Sequence, residues 1–214
     1  MKKIFALLTG LLLLTGCAKQ VEPYDYTAFK QSKPKSILVV MPANNSIDVK
    51  ADVSVLARAS YPLGELGYYI YPVALVDEVF KQNGLTDGHA IRHAQLKKIH
   101  DIFGADAIFY INVNEYGTSY KLIDSETTVA LEGKLVDLKT GQTLWEGTGK
   151  HSQGSTQSND GLLVALVKAA VSQIIDTSKD YGYQIAAPAM TNLTYHGKNG
   201  GLLIGPKHPD YAKP

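Results

Sequence analysis

The sequence predicts an α/β fold: a single mixed sheet with helices packed on it, a three-stranded antiparallel meander and a closing C-terminal helix. Three observations predict it. Residues 36–41 (SILVVM) and 107–113 (AIFYINV) are continuous apolar runs rich in β-branched side chains, the pattern of strands buried on both faces. The stretch between them carries helical periodicity broken by glycine and proline. From Gly117 onward the period falls to two, with a glycine-bearing hairpin, as in half-buried antiparallel strands.

The elements follow in order. Lys2 and Lys3 precede an apolar run, residues 4–14, and then the small residues Thr15 and Gly16, the layout of a signal peptide over residues 1–16. The run is about half of the roughly 20 residues a spanning helix needs. Leu14-Thr15-Gly16-Cys17, which holds the only cysteine, resembles a bacterial lipobox. The resemblance implies signal-peptidase recognition of Leu14, Thr15 and Gly16, and diacylglyceryl transfer to the Cys17 sulfur. It also implies cleavage before Cys17 and acylation of the new N-terminus with a palmitate-type chain. Ala18, where an aspartate would hold such a protein at the inner membrane, resembles the signal for sorting to the cell outer membrane. Two or three acyl chains anchor a protein far more firmly than one.

Residues 17–35 read as the lipidated N-terminus and a flexible tether, 36–182 as the α/β domain, and 183–214 as a Gly/Pro-rich C-terminal tail. Within the domain, the run 36–41 stops at Pro42, and residues 43–46 form a loop. A helix is expected over 48–66, with Val53, Leu56, Ala57 and Leu63 inward and a kink or break at Pro62. A short strand follows at 68–71. The next helix, 73–82, turns Leu75, Val76, Val79 and Phe80 inward and stops at Asn83 and Gly84. A further helix over 88–103, with Ile91, Leu96, Ile99, Ile102 and Phe103 inward, closes at Gly104. The meander consists of 117–123, 127–138 and 142–150. Val129, Leu131, Gly133 and Leu135 share one face of its middle strand, and Gly141 serves the hairpin. A long apolar helix over 160–178 completes the domain.

Composition narrows the function. The chain has 21 Lys and Arg against 20 Asp and Glu, and two of the basic residues belong to the leader. Such a balance argues against a nucleic-acid partner, which would want a clustered basic field. With Cys17 the only cysteine, the domain has no disulfide and no thiolate metal site. The 13 tyrosines suit partly buried sheet positions and also interfaces.

Candidate chemistry is sparse. On a continuous helix, His93 would lie about 40° and His100 about 20° around the axis from His89. His89 and His93 could then share a metal. His100, however, stands about 16 Å up the axis, and no Glu follows His89 as in H-E-x-x-H. The stripe reads as a solvated boundary, and a metal-binding or hydrolytic envelope protein using His89 and His93 is kept as an alternative. Ser152 follows His151 without a G-x-S-x-G elbow. Gly147-Thr148-Gly149 lacks the spacing of a phosphate loop, and Asp77 and Glu78 lie on a solvated helix face. No catalytic residue, resident metal or cofactor is expected.

Gly104-Ala105-Asp106 before a buried strand, and the hairpin 137–145 (DLKTGQTLW), resemble elements of periplasmic α/β modules. These include the N-terminal domain of the Tol-system translocation protein, lipoprotein activators of peptidoglycan synthases, and curli-secretion lipoproteins. Residues 39–46, 67–85 and 205–211 together resemble a bacterial lipoprotein family of unknown function of the meningococcal surface-antigen type. That resemblance implies a lipid-anchored, periplasm-facing domain that self-associates or belongs to a secretion or envelope assembly. With the lipobox, the tether, the tyrosines and no catalytic set, the chain reads as a non-enzymatic interaction or assembly module, an accessory of a secretion or transport system. An activator of a cell-wall synthase is the alternative within the same class. The expected partners are the membrane, through the N-terminal lipid, and an envelope protein or a second copy. Tyr68, Tyr69, Tyr71, Tyr195 and Tyr211 are the candidate contacts.

Overall fold

The computed structural model describes residues 22–120, 125–154 and 180–211. The leader, Cys17 and the helix expected over 160–178 lie outside the described residues. The elements are α1 (Thr27–Ser32), β1 (Ser36–Val39), β2 (Ala43–Asn44), α2 (Ala51–Glu65), β3 (Tyr69–Ile70), α3 (Val73–Gln82), α4 (Gly88–Ile91), α5 (Leu96–Phe103), β4 (Ala107–Tyr120), β5 (Ser125–Asp137), β6 (Thr143–Gly154) and α6 (Tyr181–Thr194). The strands form one mixed sheet in the order β3-β1-β4-β5-β6, with β2 also paired to β4. β3, β1 and β2 run parallel to their neighbours, whereas β4, β5 and β6 form the antiparallel meander.

β1 sits inside the sheet, and Ile37, Leu38 and Val39 are all fully buried, as a continuous apolar run requires. Pro42, which has no N–H for the ladder, explains why pairing with β4 breaks at Val39↔Phe109 and resumes at Ala43↔Asn112. The loop expected after β1 therefore begins with a short strand.

β4 is longer than the sequence suggests. The runs at 107–113 and from 117 join into one strand through a bulge at Asn114, where the pairing passes from Val113↔Leu131 to Glu115↔Ala130. The extra residue exchanges the faces beyond it. Phe109, Ile111, Val113 and then Tyr116 share the core face with Leu135, Gly133, Leu131 and Val129. On β6 that face carries Trp145, whose ring stacks on Phe109 at 6.0 Å. The hairpin after β5 is as expected. Asp137 Oδ1 accepts the Lys139 and Thr140 amides, and Gly141 takes φ +74°.

The closing helix is α6, which packs on the Phe109–Trp145 face and against α2. It begins where the sequence suggests a tail from residue 183. Its buried residues Gly182, Ile185, Ala186, Ala189, Met190, Leu193 and Thr194 form a helical stripe. Asp180 caps it by accepting the Tyr183 amide at 2.9 Å. Pro188 lies inside the helix without ending it. Glycine in β6 permits the contact: a Cβ on Gly149 would fall 2.5 Å from the Ala189 carbonyl oxygen.

Other expectations are corrected by the packing. α2 runs through Pro62, and the Leu66 amide still donates to the Pro62 carbonyl at 3.2 Å. The inner face of α2 is taken by Ala51, Val55, Leu56, Ala59 and Leu63, leaving Val53 and Ala57 exposed. Leu75 of α3 and Ile102 of α5 also face outward, while Val76, Phe80 and Ile99 fill the core.

The segment 18–35 is not a tether throughout. Residues 22–35 dock on the domain: Phe29 is buried, and Ser32 Oγ donates to Asp137 Oδ2 at 2.5 Å. The tail docks as well. The Gly205 and Lys207 amides donate to the Leu66 and Gly67 carbonyls beside β3.

Candidate interaction surface

The residues singled out by sequence fall in scattered places. Tyr68 is buried, and its hydroxyl donates to the Leu203 carbonyl. Burial drives its phenol well above the usual range. Tyr68 therefore holds the tail in place and offers no surface to a partner. Tyr71 is half-buried and donates to the Phe103 carbonyl at 2.9 Å. Tyr69 is exposed beside Lys207, whose ammonium lies 5.4 Å from its ring centroid. Tyr195 and Tyr211 are also exposed, Tyr195 at the end of α6 and Tyr211 at the end of the docked tail.

The histidine stripe dissolves because the helix it assumed is two helices. Asp87 caps α4, accepting the His89 and Ala90 amides, and the chain extends at Gln95 before α5 begins. Arg92, in the turn between, reaches the sheet: it donates to Asn112 Oδ1 at 2.8 Å and lies over the Tyr110 ring. His89 and His93 are exposed, and His100 meets the Ala105 carbonyl at 3.1 Å. Among the described residues, no group of three or more His, Cys, Asp or Glu is gathered for a metal ion. His151 and Ser152 are consecutive in β6, so their side chains leave opposite faces. Ser152 Oγ instead meets Thr128 Oγ1 at 2.8 Å. Gly147 and Gly149 serve the packing of Trp145 and α6.

Over part of β4, β5 and β6 the sheet's second face is polar, although Ile108 and Val136 on the same face are buried. Tyr110, Asn112, Glu132, Lys134, Glu146 and Thr148 line a concavity of about 490 Å³ together with Arg92 and Tyr24. Asn112 Nδ2 donates to Glu132 at 3.2 Å, and Lys134 pairs with Glu146 at 2.7 Å. These pairs neutralise one another.

The most exposed apolar groups lie elsewhere, on the loop between β2 and α2. Ile47 is 100% and Val49 85% exposed, and Val53 stands nearby on the first turn of α2 at 58%. The loop is nevertheless well tied. Asn44 Oδ1 accepts the Ser46 amide and hydroxyl, Asn44 Nδ2 donates to the Asp48 carbonyl, and Asp48 Oδ1 accepts the Lys50 amide. These local side-chain bonds satisfy the turn and push Ile47 and Val49 outward. At its base, the Asn45 amide donates to the Val113 carbonyl and Asn45 Nδ2 to Asn114 Oδ1, so the loop is fastened to the bulge of β4.

Beyond the bulge, β4, β5 and β6 continue as an arm, and loop and arm enclose a groove of about 820 Å³. Its floor is polar, with Thr128, Ser152 and the exposed Lys150–Glu115 pair at 3.0 Å. Solvent-facing aliphatic groups held in place beside a polar groove would lose little conformational entropy if a partner covered them. Sequence periodicity could not reveal them, since a loop residue has no period; the N-N-S-I-D spacing of Asx turns was the available signal.

Comparison with known proteins agrees with this fold. Residues 24–207 match the family described as "Putative lipoprotein GNA1162-like". A curated relative from Neisseria meningitidis serogroup B, "Putative lipoprotein NMB1124/NMB1162", is 48% identical over 97% of both chains. The crystal structure of lipoprotein GNA1162 from Neisseria meningitidis is 50% identical, covers 66% of this chain and 99% of that one, and superposes with a TM-score of 0.55. A PelC dodecamer from Paraburkholderia phytofirmans is 18% identical, covers 75% of this chain and 88% of that one, and has a TM-score of 0.40, too loose to bear on function. The extent and identity of these matches place the chain in the GNA1162-like lipoprotein family.

Proposed function

We propose that the protein is a non-enzymatic envelope module, anchored by lipid at Cys17 to the outer membrane and facing the periplasm, which docks a protein partner on the loop 45–50 and the adjoining arm. The observation that carries this reading is the exposure of Ile47, which is complete, and of Val49, at 85%, on a loop fastened by Asn44, Asn45 and Asp48. Scattered exposed aliphatics are ordinary on protein surfaces. Three within seven residues on a rigid turn beside a groove form a patch suited to a partner. Membrane attachment is assigned to the lipid on the lipobox-like Leu14-Thr15-Gly16-Cys17; no helix among the described residues is long and apolar enough to cross a membrane. The partner is a component of an envelope assembly. A secretion or transport apparatus comes first, and a cell-wall synthase is the alternative, since Gly104-Ala105-Asp106 and the hairpin 137–145 resemble elements of synthase activators as well as of curli-secretion lipoproteins.

The test is site-specific photocrosslinking from position 47 in intact envelopes. One discrete adduct is expected, absent when the crosslinker sits at exposed Leu75. Equal or absent labelling at the two positions removes the reading.

A further inference from the structure

Docking of the N-terminal segment changes how the domain meets its membrane. The Glu22 carbonyl accepts from Asn199 Nδ2 at 2.7 Å, and the Tyr24 amide donates to Asn199 Oδ1 at 2.9 Å. The Tyr24 hydroxyl accepts the Glu146 amide at 2.9 Å, and the Tyr26 hydroxyl donates to the Gly201 carbonyl. The Trp145 indole N–H donates to the Gly200 carbonyl, which fastens the same tail loop to the core. The chain is therefore held to the domain from Glu22 onward. Only residues 18–21 separate Glu22 from Cys17. Five Cα steps span at most about 18 Å, whereas a domain of this length is on the order of 40 Å across.

We infer that the pole formed by the Glu22 and Tyr24 backbone and the loop 195–200 is apposed to the phospholipid headgroups of the membrane that holds Cys17. The inference rests on the lipid anchorage proposed above. A tether this short excludes orientations in which the Glu22 pole points away from the bilayer. The loop has a composition that suits this place. Residues 195–199 are all exposed, and Tyr195 presents an aromatic ring with a polar tip, while the Lys198 ammonium donates back to the Thr148 and Asn192 carbonyls at 3.3 and 2.9 Å. Glu22 and Glu146 lie close by, so the local field is weak and the short chain, not anionic lipid, sets the apposition.

The arm then points outward. Tyr24 marks β6 at Glu146, and eight residues of extended strand, about 26 Å, carry β6 from there to Gly154. Lys150 and Ser152, which line the groove with Ile47, lie along that outward half.

The test uses the full lipidated chain in vesicles of phosphatidylethanolamine and phosphatidylglycerol. Acylation consumes the Cys17 thiol, so an introduced cysteine is labelled alone. His196→Cys and Ile47→Cys carry a bimane dye, and the vesicles carry a headgroup nitroxide lipid. Quenching is expected to be at least threefold stronger at position 196 than at position 47. Ten Gly/Ser residues inserted between Lys19 and Gln20 should cut the quenching at 196 by half or more. Equal quenching at both sites, or quenching indifferent to the insertion, in protein that floats with the vesicles and carries the acyl mass, overturns the orientation while leaving the anchor standing. Protein without the acyl mass that fails to float overturns both.

Discussion

Gly149 of β6 and Leu193 of α6 approach so closely that a Cβ on Gly149 would lie 2.4 Å from the Leu193 amide nitrogen. Backbone meets side-chain-free backbone here, and neither partner has a flexible end that could move aside. Gly149→Ala is expected to lower stability by about 1–3 kcal/mol through overpacking, read as a lower urea midpoint. Gly64→Ala is the control: nothing lies within 4 Å of its Cβ position in α2. Alanine there should raise stability by about 0.5–1 kcal/mol.

Asp137 links the β5–β6 hairpin to α1. Burial by itself pushes its carboxyl up. The Ser32 hydroxyl and the Thr140 and Lys139 amides outweigh that and hold it below the usual carboxylate range. A group whose pKa is depressed by folding adds stability that is present above its unfolded pKa, near 3.9, and is lost as the pH falls through the folded value. Denaturant midpoints should therefore be flat near neutrality and decline below about pH 4. Asp137→Asn should cost about 1–2 kcal/mol at pH 7 and show a shallower acid decline. An unchanged acid slope would assign the decline to other carboxylates.

Ile47→Asp and Val49→Asp place charge on side chains that are 100% and 85% exposed. Thermal stability should stay within about 0.5 kcal/mol of the parent. Recovery of the envelope partner in pull-downs should fall tenfold or more, as loss of a central apolar anchor costs at least about 2 kcal/mol of binding. Undiminished recovery with both variants would remove the loop as the docking site.

Cys17→Ala removes the acylation site and should move the protein from the membrane fraction to the soluble fraction, with a far-UV spectrum matching that of the parent domain. Retention in the membrane fraction after a carbonate wash would show that lipid at Cys17 is not the anchor.

The sheet was legible in the sequence wherever burial follows a period. Residues 36–41 and 107–113 announce themselves because both strand faces are covered. Val129, Leu131, Gly133 and Leu135 do so because one face is. α6 was not legible: Gly182, Ala186 and Ala189 are small, and Pro188 looks like a stop. Their burial depends on distant partners: Ala189 packs at Gly149 of β6, and Gly182 lies against the Tyr116 ring of β4. The docked N-terminal segment was hidden for a related reason. Tyr24, Tyr26 and Phe29 show no clear periodicity, and the tyrosines bond to different segments, Tyr24 to β6 and Tyr26 to the tail. The candidate surface followed the same division. Tyrosine counting pointed to Tyr68, which the core consumes, while Ile47 lay in a stretch legible only as a loop.

The bulge at Asn114 divides β4 into two segments of opposite parity. Loss of that one residue would leave Glu115 opposite Ala130 and Tyr116 on the core face, since plain alternation from Val113 already reaches them there; it would remove the local bend of β4 and the Asn114 side chain that fastens Asn45. Single-residue length changes at this point are therefore a route by which related sequences could re-aim the arm and free the loop without changing which side chains face the core. An alignment of family members should be read for gaps at Asn114 before it is read for substitutions around it.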